Sequence, residues 1–354
     1  MSARLMRIGV IGLGTVGQTH LAVLRQLGVS EIYGADPAAA ARDYARTYAT
    51  RCFDDFDEML STVELDGVVV ATPPRTHRGI SLACLRAGLG VLTEKPMALS
   101  VEDCEVIANA AASSRGPFLV GFCHRFQPQV MRLRSLIDAG TFGPAVLVNI
   151  SFTHGLTEQG REWITDPEQA GGGVLFDSGS HAIDLFRYLV GDLDEVHGMT
   201  VGDRARVDDC SVLSLRSGAV LGSVSLSWKA PPWHGLIDVI GTNGRARVEY
   251  DSDRVKLKTR LGDGTWRTVR TPKHDRFVLQ MCHFLGCVRG NATPLTSARD
   301  GLEATRAILR VYADRGTNGT RGSFSVSGHM PRTHAISGSS EAAMVRRSPA
   351  RKFK

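Results

Sequence analysis

Short apolar runs alternate with helical stretches over the first 124 residues of the chain. The runs are rich in Val, Ile and Leu, and the stretches between them, such as 15–27 and 100–113, contain much Ala or Leu. Strands that alternate with helices predict βαβ units around a parallel sheet. The runs read RIGVIG, EIYGAD, GVVVAT, GVLTEK and FLVGF.

The pattern changes from residue 145 onward. Longer runs there alternate apolar and polar residues, and several are joined by turns that contain glycine. This alternation is typical of a mostly antiparallel sheet. Two helical stretches, near 274–289 and 297–315, follow the sheet. The runs read VLVNISFTH, SVLSLRSG, AVLGSVSLSW, LIDVIGTNG and RARVEYD.

One predicted helix carries ionisable side chains on an otherwise apolar surface. It begins in the stretch FDSGSHAIDLF, where Asp177, His181, Asp184 and then Tyr188 follow at intervals of four, three and four. That spacing places them on one face of a helix. The other faces are small or apolar, which predicts a buried helix. A buried helix with two carboxylates and an imidazole needs a chemical explanation.

Composition indicates a globular chain with a basic tail. The chain has 354 residues, 43% of them hydrophobic, which is enough for two domains. The net charge is +6, but residues 328–354 hold six Lys or Arg and one Glu, so the remainder carries only +1. A nearly neutral body without a basic stripe argues against a nucleic-acid partner. The polar tail is predicted to be disordered and dispensable.

The sequence contains no signal for secretion, a membrane span or a cysteine-based metal site. Its N-terminal apolar run is too short for a signal peptide, and no run of 18 apolar residues occurs. We therefore expect a cytoplasmic protein without a membrane partner. The seven Cys residues form no CxxC pair, which favours reduced thiols over disulfides or zinc.

A G-x-G-x-x-G motif lies between the first predicted strand and the first predicted helix. Its glycines would allow a tight turn and a close approach of the backbone to a pyrophosphate. Asp36 follows the second predicted strand, where a carboxylate holds ribose hydroxyls and would repel a 2′-phosphate. The motif predicts NAD as cofactor, with NADP disfavoured. The expected contacts in the motif are Gly12, Gly14, Thr15, Val16 and Gly17.

A second motif, Glu94-Lys95-Pro96, follows another predicted parallel strand. Ligands of open α/β sheets bind at this edge. The lysine could serve chemistry there, or it could simply pair with Glu94. Taken in order, G-x-G-x-x-G, E-K-P and G-G-G-x-x-x-D-x-G-x-H-x-x-D resemble the glucose-fructose oxidoreductase and inositol dehydrogenase family, also called Gfo/Idh/MocA. The resemblance covers about residues 5–325 and includes ATPPRTH, RFQP and IGTNGRARVE.

The resemblance implies an α/β fold with an N-terminal Rossmann domain (1–124) and a C-terminal α/β domain (125–327) with a large, open, mainly antiparallel sheet. It also implies catalytic roles for Lys95 and His181, with Asp177 as the acid four residues before the histidine. One departure is His124, which stands where the family has Asn before the Arg of the RF motif. Expected cofactor contacts are Thr72, Pro73, His77, Glu94, Lys95 and Arg125.

The implied reaction interconverts a secondary hydroxyl and a ketone on a sugar, a cyclitol or a relative of these. A base with a pKa near 7 takes the hydroxyl proton, and a positive group stabilises the developing alkoxide. His181 would be the base and Lys95 the cation. Asp177 would orient the imidazole or bind a substrate hydroxyl, and Asp184 would cap or pair structurally. Alternatives for the polar stripe are a metal site, which lacks further ligands, and a structural hydrogen-bond network.

Substrate recognition requires further polar groups. The stretch THGLTEQGREW supplies His154, Arg161 and Trp163 as candidates, and Trp233 with His234 adds two more. Lys95, Asp177 and His181 complete the expected substrate contacts. Other functions in the family are NAD-dependent glycoside hydrolysis and non-catalytic NAD sensing. In AVLGSVSLSW apolar residues occupy both odd and even positions, so both faces of this strand carry apolar side chains. This predicts a homodimer or homotetramer built through the second sheet.

Overall fold

The computed structural model describes residues 5–156, 162–202, 207–251 and 254–317. These residues belong to one compact unit that contains two sheets. The boundary expected at residue 124 therefore stays a prediction, and the basic tail from 328 onward lies outside the described residues.

The first sheet has six parallel strands in the order β3-β2-β1-β4-β5-β6. This is the strand order of a Rossmann fold. The strands are β1 (Arg7–Ile11), β2 (Glu31–Ala35), β3 (Arg51–Phe53), β4 (Gly67–Val70), β5 (Gly90–Thr93) and β6 (Phe118–Val120). The helices between them are α1 (Thr15–Gln26), α2 (Ala39–Ala45), α3 (Phe56–Thr62), α4 (His77–Arg86) and α5 (Val101–Ser113).

The second sheet has eight strands in the order β14-β13-β12-β11-β7-β10-β9-β8. Every pair is antiparallel except β7 with β10. The strands are β7 (Ala145–Gly155), β8 (Glu195–Val201), β9 (Cys210–Ser217), β10 (Val220–Ser227), β11 (Lys229–Gly241), β12 (Gly244–Asp251), β13 (Arg254–Leu261) and β14 (Arg267–Val269). The remaining helices are α6 (Pro128–Asp138), α7 (Pro167–Ala170), α8 (Ser180–Val190), α9 (Arg276–Val288) and α10 (Ala298–Thr317).

The fold class and the two kinds of sheet are confirmed, and four strands escaped sequence analysis. Three of them, β3, β8 and β14, form sheet edges, and β13 lies next to one. Edge strands bury fewer side chains, so their apolar signal is weak. In β13 and β14 charged residues such as Lys256, Lys258 and Arg267 leave few apolar positions, three of eight and one of three.

Two apolar cores support the first sheet. One continues from β4, β5 and β6 through α8 to the inner face of the second sheet. The other lies on the opposite face, where Met281 and Phe284 of α9 pack with Ile8 and Leu21. Because α9 follows the second sheet along the chain and packs back onto the first sheet, both halves of the chain contribute to this second core.

The helix α8 is buried on all sides, as its apolar surface predicts. The polar residues predicted to share one of its faces have different partners. A π-helical turn, Leu175–Gly179, precedes it and carries Asp177. Farther along, Asp184 accepts two hydrogen bonds from Arg125, at 2.9 and 2.6 Å. Asp300 joins the same network through Arg125 at 2.9 Å and through Arg187 at 3.1 Å. The structural role expected of Asp184 is therefore an ion pair.

We predict that Asp184→Ala destabilises the protein by about 3–5 kcal/mol, because it leaves the buried Arg125 without its bidentate partner. Asp138→Ala is the control, since the Asp138 side chain is 54% exposed and pairs with Arg134. This control should cost less than about 1 kcal/mol. Urea unfolding of the two variants measures both values. Equal, small losses would show that the buried pair contributes no more than a surface pair.

Candidate active site

The glycine motif forms the turn between β1 and α1, and each glycine is needed for a different reason. Gly12 has a φ of +88°, and a Cβ there would lie 2.6 Å from the Ala71 carbonyl. A Cβ on Gly17 would lie 1.9 Å from the Gly12 oxygen. A Cβ on Gly14 would meet nothing within 4 Å. Gly12 and Gly17 therefore shape the turn, whereas Gly14 borders open space for a ligand.

A cleft of about 610 Å³ opens beside this turn. It runs along the carboxyl ends of the strands, where Rossmann folds bind dinucleotides. Its one basic lining residue among the described residues is Lys95. Nine predicted cofactor contacts line the cleft: Gly12, Gly14, Thr15, Val16, Asp36, Thr72, Pro73, Glu94 and Lys95. Two further predicted substrate contacts, Trp163 and Asp177, also line it.

Asp36 is held at one end of the cleft by backbone amides. Its two carboxylate oxygens accept hydrogen bonds from Leu13 N and Ala38 N, each at 2.8 Å. Arg42 donates to the backbone carbonyls of Asp36 and Pro37 at 2.7 and 2.8 Å. A fixed carboxylate suits the hydroxyls of a ribose and disfavours a 2′-phosphate.

Glu94 lies in the cleft wall and forms a buried hydrogen bond with His20 of α1, at 2.9 Å between Oε1 and Nε2. Burial raises the pKa of Glu94, but the hydrogen bond from His20 and the nearby Lys95 outweigh it and lower the pKa below its ordinary value. Gly121 leaves room for this carboxylate, because a Cβ there would lie 2.7 Å from it. His20 belongs to the glycine-motif stretch, yet its role could be seen only in three dimensions.

Lys95 follows β5 and reaches across to the π-helical turn. Its Nζ lies 2.6 Å from Asp177 Oδ1 and 3.0 Å from the Asp177 carbonyl oxygen. Both side chains are about four-fifths buried, with 16% and 21% exposed. The carboxylate that the sequence assigned to the imidazole or to substrate thus holds the lysine.

Asp208 fixes the π-helical turn, and sequence analysis missed it. Its carboxylate is 1% exposed and accepts from Gly173 N and Leu175 N, each at 3.0 Å. Tyr312 donates to the same carboxylate. No motif marks Asp208 in the sequence. Its role depends on a loop packed onto residues far away along the chain.

His181 lies one turn beyond Asp177 and is 9% exposed. Its Nδ1 is buried and has no hydrogen-bond partner among the described residues. Burial lowers the pKa of His181 well below its usual value, and the charges of Lys95 and Arg276 lower it further. The imidazole is therefore neutral at pH 7. The sequence predicted a base with a pKa near 7, and the pKa of His181 in the structure lies lower than that.

Aromatic side chains surround the imidazole. The ring of His124 lies 4.7 Å from that of His181, and its Nδ1 lies 3.2 Å from the hydroxyl oxygen of Tyr250. Tyr250 in turn contacts Phe152 and Trp233, with ring centroids 6.0 and 5.5 Å away. The departure from the family motif at His124 thus lies directly beside the expected base.

The other predicted contacts fall in different places. His154 is partly buried near Trp228, at 6.5 Å between ring centroids, on the same strand face as Phe152. His234 is exposed and pairs with Thr153, whereas its neighbour Gly235 pairs with Phe152. Because side chains alternate along a strand, His234 points away from the aromatic group. Arg161 lies outside the described residues.

Three expected cofactor contacts, Gly17, His77 and Arg125, are absent from the cleft lining. Arg125 is 5% exposed and its guanidinium is fully engaged with Asp184 and Asp300. His77 is buried behind the cleft wall, where its ring nitrogens lie 2.8 Å from the carbonyls of Pro96 and Thr72. The cofactor roles of Arg125 and His77 stay predictions, and in this structure the two side chains support the walls of the site.

One group of residues has the spacing of a metal site. Ligand atoms of Cys123, His124 and His181 lie within 4.8 Å of one another and are buried. Burial lowers the pKa of His124 well below its usual value, and the charges of Arg276 and Lys95 lower it further. Two cations at this position oppose the entry of a third.

Comparison with known proteins shows the family to which this chain belongs. Residues 6–122 match the model of the oxidoreductase family with an NAD-binding Rossmann fold (GFO_IDH_MocA), and residues 130–247 match the C-terminal domain of the same family. The class is an NAD-binding oxidoreductase. The chain belongs to the Gfo/Idh/MocA family.

Two curated relatives come from Rhizobium meliloti. The rhizopine catabolism protein MocA is 29% identical over 69% of this chain and 78% of its own length. Inositol 2-dehydrogenase is 26% identical over 88% of this chain and 98% of its own length. Levoglucosan dehydrogenase in complex with NADH superposes with a TM-score of 0.80 at 20% identity, over 87% and 97% of the two chains. At that identity the superposition shows the fold.

Among the described residues, no helix has the length and hydropathy needed to cross a membrane. All seven cysteines are free thiols, as expected.

We predict that Gly14→Ala weakens NADH binding by at least about tenfold while the melting temperature stays within a few degrees of wild type, because the added methyl meets no protein atom and enters the ligand space. Gly79→Ala in α4 is the control, since a Cβ there also meets nothing within 4 Å but lies away from the cleft. Fluorescence titration with NADH measures both. Unchanged affinity in Gly14→Ala would place the dinucleotide elsewhere.

Proposed function

We propose that this chain is an NAD-dependent dehydrogenase or reductase that interconverts a secondary hydroxyl and a ketone on a sugar, a cyclitol or a related polyol. The observation that carries the proposal is the buried, neutral His181 within the electrostatic reach of Lys95, whose ammonium lies in the dinucleotide cleft. Relatives named inositol 2-dehydrogenase support a polyol as substrate.

Lys95 and His181 divide the chemistry. During oxidation the imidazole of His181 takes the hydroxyl proton, and the ammonium of Lys95 stabilises the negative charge that develops on the oxygen. Asp177 holds Nζ of Lys95 at 2.6 Å, so the ammonium needs no reorganisation when the charge appears. The carbon–hydrogen bond breaks with its electron pair as the carbonyl forms. In reduction His181 returns the proton to the oxygen.

The cofactor fits the cleft of this chain. Open space at Gly14 admits the pyrophosphate, and the fixed carboxylate of Asp36 suits the hydroxyls of the ribose. When bound, NAD supplies a hydride acceptor at nicotinamide C4. Glu94 and Lys95 line the same cleft, and Trp163 borders it from the second half of the chain.

We predict that His181→Ala lowers turnover by about 10² to 10⁴ fold and leaves NADH affinity nearly intact, because the imidazole acts on the substrate hydroxyl. His197→Ala is the control, since that side chain is 59% exposed on β8.

Lys95→Ala should lower turnover by a comparable factor, and Lys95→Arg should not restore activity because a planar guanidinium cannot replace a compact ammonium. Single-turnover hydride transfer with a panel of cyclitols and sugars measures these rates. Wild-type rates in His181→Ala would show that His181 has a structural role only.

The pH profile follows from the lowered pKa of His181. The imidazole stays neutral, and so remains competent as a base, down to a pH well below the ordinary pKa of histidine. We therefore predict that kcat/KM for oxidation stays flat through neutral pH and falls only at acidic pH, as His181 becomes protonated. A profile of kcat/KM against pH tests this. A limb centred near pH 7 that disappears in His181→Ala would contradict the lowered pKa.

We also propose that the second sheet forms a homo-oligomer interface, as a dimer or a tetramer. Its outer face carries exposed apolar residues on neighbouring strands. Leu221 lies opposite Leu147, and Val212 lies opposite Met199. Exposed fractions of 75% for Met199 and 53% for Leu221 leave much apolar surface in water. A cytoplasmic location and the absence of a nucleic-acid partner stay predictions.

Leu221→Asp should shift the protein toward the monomer, because it places a charge in the centre of that face. Leu261→Asp is the matched control: Leu261 is also 53% exposed, but it lies at the end of β13 on the opposite face of the sheet. Light scattering of both variants gives the mass. A monomeric wild-type protein, or an unchanged oligomer in Leu221→Asp, would exclude this interface.

A further inference from the structure

The dinucleotide cleft continues past Asp36 into a compartment between the carboxyl ends of β2 and β3. These two strands are neighbours in the parallel sheet, with Ala35 paired with Phe53. Asp36 N donates a hydrogen bond to the Phe53 carbonyl oxygen at 3.1 Å, so the residue that follows β3 lies beside the residue that follows β2. The cleft lining in this compartment consists of Pro37, Ala38, Ala41, Asp54, Asp55 and Phe56.

A bound NAD would place its adenine base in this compartment. The base is attached to the ribose whose hydroxyls suit Asp36, so it must lie directly beyond that carboxylate. The faces of the base need no hydrogen bonds, and they fit walls of proline, alanine and phenylalanine. The edge of the base is polar and carries an amino group that donates hydrogen bonds. Among the described lining residues of the compartment, the polar side chains are Asp54 and Asp55, which are acceptors.

The two aspartates differ in what they already hold. Asp55 is the N-cap of α3, and its Oδ1 accepts hydrogen bonds from Asp57 N and Glu58 N at 2.6 and 3.2 Å. The Asp54 carboxylate is exposed and has no hydrogen bond or ion pair within the described part of the chain. Asp55 is therefore engaged in holding the helix, whereas Asp54 lines the cleft with its acceptor atoms available to a ligand.

We propose that Asp54 accepts a hydrogen bond from the adenine amino group and makes the cleft selective for adenine over hypoxanthine dinucleotides. An ionised carboxylate only accepts hydrogen bonds, so it matches an amino group and repels a carbonyl oxygen at the same position. Hypoxanthine carries such an oxygen in place of the amino group. Asp36 would then select the ribose, and Asp54 the base. The inference rests on the dinucleotide site of the proposed function and does not depend on which polyol is the substrate.

The test compares NADH with its hypoxanthine analogue, reduced nicotinamide hypoxanthine dinucleotide. The two molecules share the riboses, the pyrophosphate and the nicotinamide, and they differ at the base. Fluorescence titration of the full chain gives both dissociation constants and needs no substrate. The wild type should bind NADH about tenfold more tightly, near the lower end for a hydrogen bond to a charged group, because Asp54 is exposed to water.

Variants of Asp54 separate recognition of the base from support of the fold. Asp54→Ala should erase the preference, mainly by weakening the binding of NADH. Asp54→Asn should bind the two dinucleotides with similar affinity, because an amide can accept from the amino group or donate to the oxygen. Asp57→Ala is the matched control, since Asp57 is an exposed aspartate on α3 that does not line the cleft. This control should keep the wild-type preference.

The outcomes distinguish this inference from the proposed function. Equal affinity of the wild type for both dinucleotides would overturn the inference and leave the dehydrogenase proposal intact. A preference that survives in Asp54→Ala, including equal weakening of both dinucleotides, would also overturn it, since the carboxylate would then serve the ribose or the fold. Failure of the wild type to bind either dinucleotide would refute the proposed function itself.

Discussion

The ion pair between Lys95 and Asp177 is the interaction on which the site depends. Lys95 follows a strand of the first sheet, and Asp177 lies in the helical segment that packs between the first and second sheets. Their 2.6 Å contact joins the two halves at the cleft, where both side chains are mostly buried. A mostly buried ammonium needs a partner of opposite charge, and Asp177 supplies that partner for Lys95.

The helix α8 shows how one buried segment can serve two purposes. The π-helical turn just before α8 brings Asp177 to Lys95, and farther along the helix Asp184 and Arg187 join a buried network with Arg125. The network supports the helix from behind, while the π-helical turn held by Asp208 positions Asp177 in front. Accurate placement of catalytic groups requires such support, because small displacements of reacting groups reduce rates strongly.

The position of His124 illustrates how a departure from a family motif can change local electrostatics. Its ring lies 4.7 Å from that of His181 and contacts Tyr250. Since burial and the charges of Arg276 and Lys95 lower the pKa of both histidines, the two imidazoles can lie together without mutual repulsion.

The amino-acid sequence by itself determined the two kinds of sheet, the glycine turn, the acidic residue after β2 and the chain positions of Lys95 and His181. These features are local: they depend on periodicity, on glycine conformation and on motifs whose residues are near one another in sequence. Strands at the sheet edges escaped because they bury too little apolar surface to leave a clear pattern.

Tertiary structure alone decided which charges meet. Arg125 and His77 lie in motifs that suggested cofactor contacts, but the folded chain brings Asp300 to Arg125 and two backbone carbonyls to His77. In the same way it placed Asp177 on Lys95 and Asp208 on the π-helical turn. Lys95 and Asp177 are 82 positions apart along the chain, and Arg125 and Asp300 are 175 positions apart. Periodicity carries no information about such distances, because the partner of a buried charge is chosen by packing.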